Sequence, residues 1–451
     1  MSGQTRTKTA SARRDAGEKI PSTGKLDSAR SEAQTRLMHC FNLLCLPLCA
    51  AVFLAGNSAR AASAPVNVRV SAGQFDRENV AVSSLHPGFS NAPGIVVKRA
   101  GVTVPSQLGE DGRVHFVVEK LGAGASADFE ITAAEAATTA AASPGMMVKR
   151  AGTTLAFRPG DVSANPRPLM AYQAEPGDFP RADIKPVFKR GGYLHPIATP
   201  SGKVVTDDFP PNHVHHHGVW WAWTSTVFDG RKPDFWNMGD GKGRVEFESV
   251  DQTWSGAVHG GFRARHRYVD LTSGQPVTVL NETWRVTAFA PKAGSRHWIF
   301  DLVTEHQCAT DKELKLPEYR YGGVGVRGNW AWNGEGKALF LTSEGETDRV
   351  KGNTSRGRWC DMGGLVDGER VGIAILCHPD NFRAPQPMRL HPTEPFFNFA
   401  PQQAGDMAIK LGEKFVAQYR FVVHDGAPDR TELDRLWNDF AYPPVVTVVG
   451  K

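Results

Sequence analysis

Four histidines fall within five positions of this chain: His213, His215, His216 and His217. Asp207 and Asp208 precede them, and three tryptophans follow at Trp220, Trp221 and Trp223, with a fourth at Trp236. Imidazole gives and takes protons near neutral pH, and in its neutral form it ligates zinc, copper or iron. Three readings of the cluster stay open. If 212–218 is extended, His213, His215 and His217 share one face and could hold a divalent transition metal with an open position, leaving His216 opposite. Without metal, His213 or His216 transfers a proton and His195 supports it. In the third reading the rings simply pack beside Pro210 and Pro211.

Other residue types suit recognition. Trp221 and Trp223 share a strand face, and an indole can stack on the C–H face of a pyranose. Asp208, Tyr321, Arg327, Arg383 and His391 are candidates for holding substrate, because loops often carry ligand groups and guanidinium forks fit carboxylates or vicinal hydroxyls. Glu282 and Glu305 lie on predicted strands, where burial could turn either into a general base. No serine-hydrolase elbow, H-E-x-x-H, phosphate loop or dinucleotide fingerprint stands in a supporting context.

The elements that must position these groups are strands. Alternating runs at 262–268, 277–289, 298–303, 339–342, 371–376 and 415–423 are separated by Gly, Pro, Asn and Asp, which predicts antiparallel sheets packed face to face. One helix is expected at 429–440. Leu433, Leu436, Trp437 and Phe440 recur at helical spacing, Asp429 caps the run and Pro443-Pro444 stops it. All eleven tryptophans lie at or after Trp220. The preceding 65–165, with alternating runs at 68–71 and 114–118, reads as a small β-sandwich domain. A repeated Val-Lys-Arg-Ala-Gly at 97–101 and 148–152 predicts two similar hairpins. The Ala-rich segment 132–143 is left open between helix and loop.

Residues 1–64 read as a leader and signal peptide. A basic stretch ends at Arg36, an apolar run spans 43–55, and Ala59 and Ala61 give the spacing that a signal peptidase accepts. Cleavage is expected near Ala61 or Ala64, with Met38 an alternative start, and the rest is expected to be exported to the periplasm or beyond. The formal charge of +5 resides in this leader, since 43 basic and 43 acidic residues remain beyond it. That balance offers no electrostatic case for nucleic acid or an anionic membrane. Cys308, Cys360 and Cys377 remain beyond the leader, too few and too irregular for a disulfide framework or a zinc motif, and three buried thiols are expected.

The central stretch resembles the PmoA-like family, labelled methane oxygenase PmoA. The matching residues include Gly192-Tyr-Leu-His-Pro196, Asp207-Asp-Phe-Pro-Pro211, His215-His-His-Gly218, Trp221-Ala-Trp223 and Phe235-Trp-Asn237. Later matches are Tyr321-Gly-Gly-Val-Gly-Val-Arg327, Arg358-Trp-Cys-Asp361, His378-Pro-Asp-Asn381 with Arg383, and Phe421-Val-Val-His-Asp-Gly426. Together they cover 166–445, departing at Pro387-Met-Arg-Leu-His391, where a tryptophan is expected before the basic residue. An integral monooxygenase subunit needs several apolar spans of about 20 residues, and none occurs beyond residue 64. The label is therefore a name and not a mechanism. What the resemblance implies is an antiparallel β-supersandwich of the galactose-mutarotase-like kind over 166–445, in exported proteins of carbohydrate-degrading bacteria.

The expectation is an exported carbohydrate-active enzyme that acts on a sugar or modified glycoside through histidine acid/base chemistry, by isomerisation, hydrolysis or elimination. The alternatives are a non-enzymatic carbohydrate-binding protein and a metal-dependent oxygenase. The expected partner is a small molecule or oligosaccharide, with neither nucleic acid nor an integral membrane domain.

Overall fold

The computed structural model describes residues 64–90, 92–134, 145–160 and 168–450, and these are mainly β. The leader expected at 1–64 lies outside the described residues, apart from Ala64, and so does most of the Ala-rich segment.

The main body is the expected antiparallel supersandwich. One eight-stranded sheet, here the site sheet, runs in the order Met388–Leu390, Phe396–Phe399, Gly323–Arg327, Val219–Ala222, Tyr193–Ile197, Met170–Gln173, Thr154–Pro159, Met146–Ala151. The other, the back sheet, runs Gly243–Trp254, His259–Asp270, Val277–Phe289, His297–Cys308, Phe415–Asp425, Glu369–Cys377, Trp359–Val366, Leu339–Thr342. Every alternating run singled out after residue 260 falls on a strand of the back sheet. Alternation puts one face of each sheet into a shared core, where Trp221, Trp223, Trp284, Phe262, Phe300 and Tyr419 have essentially no exposure.

The predicted helix is Arg430–Ala441, and the Asp429 side chain accepts from the Glu432 N–H. It lays Leu433, Leu436 and Trp437 on the outer face of the back sheet against Trp359, Leu376 and Val422. Two short sheets make the N-terminal sandwich around Val68, Val70, Phe116, Phe129 and Ile131.

Its boundary differs from the expected 65–165. The hairpin Met146–Ala151/Thr154–Pro159 joins the site sheet, and Val445–Val448 returns from the far end of the chain to pair with Val66–Ser71. Alternation shows that a segment is a strand; which sheet it joins depends on distant partners. Both Val-Lys-Arg-Ala-Gly copies do open hairpins, one in each sandwich. Arg77 ties the small sandwich to the helix, reaching Asp439 at 2.9 Å and the Tyr442 carbonyl at 2.6 Å. The thiols are free. Cys360 and Cys377 are buried as expected, whereas Cys308 is only half-buried.

Candidate functional site

The outer face of the site sheet collects most of the expected groups. On Val219–Ala222, Trp220 points outward to His216, Trp236 and Phe396, while Trp221 points inward to His306 and Tyr419. Gly325 pairs with Trp220, and Arg327, two residues on, shares its face. Gly218 is required where this strand meets its neighbour, because a Cβ there would stand 2.2 Å from the Leu194 carbonyl oxygen.

The histidine stretch is not extended. The His213 N–H bonds to the Pro210 carbonyl, the His216 N–H to that of His213, and the Phe209 N–H to that of His216. Two successive turns replace the strand, with Phe209 at φ +51°. His213, His215 and His216 therefore gather on one side, with ring centroids 4.7–5.9 Å apart, and His391 joins them 5.5 Å from His213. His217 turns the other way. Its ring stacks on Tyr193 at 4.4 Å and its Nδ1 lies 2.6 Å from Asp208 Oδ1. The expected metal set His213, His215 and His217 thus does not converge, and among the described residues no group of three or more ligand-type side chains has the geometry for an ion.

Several further expectations are corrected. His216 is 3% exposed and walled by Trp220, Trp236 and Phe396, so it is not placed to carry a proton to a substrate. Burial, aided by its histidine neighbours, pushes it well below the ordinary imidazole range. Trp221 and Trp223 are sealed between the sheets against His306 and Phe415, so neither is a platform. Arg383 spends its guanidinium on the carbonyls of Pro401, Gly405 and Asp406 and braces a loop. Tyr321 is half-buried, donates to Asn237 and packs on Trp236. Glu305 is half-buried and paired with Lys414.

Two groups of chemically useful side chains remain on this face. The first surrounds Arg327, whose Nη2 donates to Asn333 Oδ1 at 2.7 Å, Glu394 Oε2 at 3.1 Å and Asn212 Oδ1 at 3.3 Å. Burial pushes the Glu394 carboxyl up, but Arg327 and the Asn212 hydrogen bond outweigh it and hold the carboxyl below its usual range. His213 is half-buried beside this group. His391 accepts the Glu394 N–H on Nδ1 at 3.0 Å, and burial lowers it to about 4.

The second group lines a cavity of about 280 Å³ bounded by Gln173, Phe179, Tyr193, His195, Asp207 and Phe209. Lys189, Arg190, Asp178 and Asp208 border it too. Asp208 is consumed by its neighbours, accepting from Tyr193 Oη at 2.8 Å and from His217, so it positions the wall. His195 lies on Tyr193–Ile197, with Nδ1 3.0 Å from Thr206 Oγ1. Burial lowers the His195 imidazole, and Asp208 opposes only in part. Asp207 is the reverse case. Its Oδ2 is buried without a partner, and burial raises its carboxyl against the Asp208 N–H bond and Arg327. The Asp207 N–H bonds to the Arg327 carbonyl at 3.1 Å, which joins the two groups. A neutral imidazole and a carboxyl held toward its protonated form thus line one hollow, as an acid/base pair requires.

Sequence reasoning left several of these residues without a role. Asp207 stood beside Asp208 in the same stretch, but nothing in a linear chain tells which carboxyl is satisfied and which is orphaned. Glu394, Asn212 and Asn333 carry no motif. Trp330 is 47% exposed, in the turn whose Asn333 contacts Arg327.

A third cluster lies elsewhere. Between the sheets Glu282, 2% exposed, bonds His266 at 2.9 Å, His306 at 3.0 Å and Thr304 at 3.1 Å, and Tyr172 Oη reaches His266 at 2.7 Å. Burial pushes the Glu282 carboxyl up, but His306 and His266 hold it well below the usual range.

The chain is a member of DUF6807, a family of unknown function, whose sequence profile matches residues 160–438. No curated protein matches it. Among solved structures it is similar to a protein in the glycosyl hydrolase family 38 from Enterococcus faecalis (10% identity, TM-score 0.41, 86% of this chain and 47% of that one). It is also similar to an alpha-mannosidase from Enterococcus faecalis V583 (9% identity, TM-score 0.39, 86% and 46%). The chain spans about half the length of these two proteins.

Proposed function

We propose that this protein is an exported carbohydrate-active enzyme in which His195 and Asp207 move a proton on a sugar or modified glycoside. The observation that carries the reading is the shared cavity of His195 and Asp207, with burial acting on both in the sense that catalysis needs. Its volume of about 280 Å³ sits just below the ligand-cavity range of about 300–1,000 Å³, which suits nothing larger than one sugar ring. His195 acts as base, oriented by Thr206. Asp207 acts as acid toward the atom that gains the proton. Asp208 holds Tyr193 and His217 so that the wall stays in place, and Gln173, which donates to the His195 carbonyl at 2.6 Å, fixes the strand beneath. His213 and His391 belong to the Arg327 group and do not line this cavity. Isomerisation, hydrolysis and elimination all use such a pair.

The test is a product screen of the purified protein on sugars, glycosides and their oxidised forms, with and without chelator, beside His195→Ala and Asp207→Asn. Product from the parent protein and a loss of about 10²–10⁴-fold in each variant is the expected result. Unchanged turnover in His195→Ala would sink the assignment.

A further inference from the structure

The small sandwich is fastened to the main body at two places. At one, Arg77 reaches the end of the helix, and Arg435 Nη1 donates to the Glu78 carbonyl at 2.9 Å. At the other, Gln107 Oε1 accepts the N–H groups of Val258 and His259 at 2.8 and 2.9 Å. There Arg285 also pairs with Glu110, and the His115 and His259 rings meet at 4.5 Å. Between these clamps lies a hollow of about 580 Å³. That volume falls inside the ligand-cavity range of about 300–1,000 Å³, and domain junctions are where such sites gather.

Its walls are two sheet faces and a helix flank. Ala81, Ser83 and Val117 face it from the small sandwich, alternating with the core residues Val80, Val82, Phe116 and Val118. Thr287, Phe289, Ile299, Asp301 and Val303 face it from the outer side of the back sheet, and Leu436 and Phe440 close the third side. The His195 cavity lies on the other sheet, so the two hollows share no wall.

The charges in this hollow are balanced. Four carboxylates, Glu78, Asp301, Glu432 and Asp439, stand against four basic side chains, Arg285, Lys292, Arg420 and Arg435. Arg420 donates to both oxygens of Asp301 at 2.8 and 2.9 Å, and Arg435 to both oxygens of Glu432 at 2.8 and 2.6 Å. Burial holds His259 down at about 3 and His297 below its ordinary value, so neither adds charge at pH 7. Half-buried Phe289, Ile299, Val303 and Phe440 lie among these pairs.

We infer that this junction is a second binding site, taking an uncharged saccharide of about two rings. A hydroxyl both donates and accepts, so it matches a closed carboxylate–guanidinium pair, which offers both at fixed places with no net charge. The C–H faces of the rings would lie on the phenyl and aliphatic side chains. An anion or a cation would instead have to compete with a partner already in place. The inference does not depend on proton transfer by His195 and Asp207, and it gives the small sandwich a role as one wall of a site.

The experiment is calorimetry of the parent protein with cellobiose, maltose and mannobiose against digalacturonate, at low and high salt. At least one neutral disaccharide should bind about tenfold or more tighter than the acid, with an affinity that salt leaves unchanged. Ala81→Trp and Thr287→Trp, placed on opposite walls at half-buried positions, should each fill the hollow and weaken that binding by about tenfold or more. His195→Ala should leave it as it is. If neither tryptophan variant melts cooperatively, hydroxyl-radical footprinting of the parent protein decides, with Phe289 and Phe440 protected by the bound sugar. Tighter binding of digalacturonate, no binding of any neutral sugar, or no protection of those rings overturns the inference. So does binding that survives both tryptophan variants; if His195→Ala then removes it, the His195 cavity is the site and the proposed function stands.

Discussion

Two clusters in this molecule use the same side chains for different ends. Glu282 with His266 and His306, and Asp207 with His195, are both carboxyl–imidazole groupings; strands carry all of the first, and His195 alone of the second. The first lies between the sheets, with every carboxylate oxygen bonded. The second lies on the outer face, with one orphaned carboxyl oxygen and a hollow in front of it. Residue type does not separate the two. Satisfaction and access do: a fully bonded buried carboxylate specifies packing, whereas an unsatisfied one beside open space has capacity left for chemistry.

The largest expected effect breaks the inner cluster. Glu282→Gln removes the charge that holds two imidazoles and faces Arg190, leaving uncompensated buried donors. A loss of about 3–5 kcal/mol is expected, read as a lowered urea midpoint with unchanged slope. His195→Ala should do the opposite, abolishing turnover while moving the midpoint by about 1 kcal/mol or less. If instead His195→Ala unfolds the protein and Glu282→Gln leaves it stable, the contrast between the clusters is wrong.

The pH dependence sharpens the same contrast. His195 works when neutral, so activity should rise as pH climbs through its lowered value, somewhere below 6.5. Asp207 works when protonated, so activity should fall as pH passes its raised value, above 3.8. The profile should rise on the acid side with His195 and fall on the alkaline side with Asp207, and Asp207→Asn should remove that fall from whatever rate remains.

Stability runs with a different sign. His215 at about 3 and His391 at about 4 stay neutral in the folded chain while the unfolded chain protonates near 6.5. Their stabilisation is complete above that pH and is lost as pH drops toward the folded values. The slope is at most about 1.4 kcal/mol per pH unit for each histidine and less for these half-buried rings. His215→Asn should flatten the fall of the urea midpoint between pH 7 and 4; an unchanged slope would show that these rings are solvated.

How much of this was legible in the chain follows from the range of the forces involved. The strands after residue 260 and the helix at 430–441 are periodic patterns, and local alternation or a cap is enough to read them. The stretch at 192–237 was legible as a site because its residue types are dense. Which ring points where was not. His217 parts from its neighbours because the Phe209–His216 backbone bond folds the stretch into turns, and that bond has no mark in sequence spacing. Arg383 looked like a ligand group because of its loop, yet three carbonyls eighteen or more residues away claim it.

The smallest expected effect is that of the exposed Trp330, set against the buried Trp221. Trp221 is sealed against His306 and Tyr419, so Trp221→Ala should cost about 3–5 kcal/mol by leaving a cavity, whatever the ligand. Trp330, nearly half exposed on the turn beside Asn333 and Arg327, contributes little to the core, and Trp330→Ala should shift stability by about 0.5 kcal/mol or less. If sugars approach across this face, the same change should weaken binding of a disaccharide by roughly threefold to tenfold, the worth of one aromatic contact, while leaving a monosaccharide unaffected. Equal weakening of both would put the indole at the reacting ring, and no weakening of either would confine recognition to the hollow around His195.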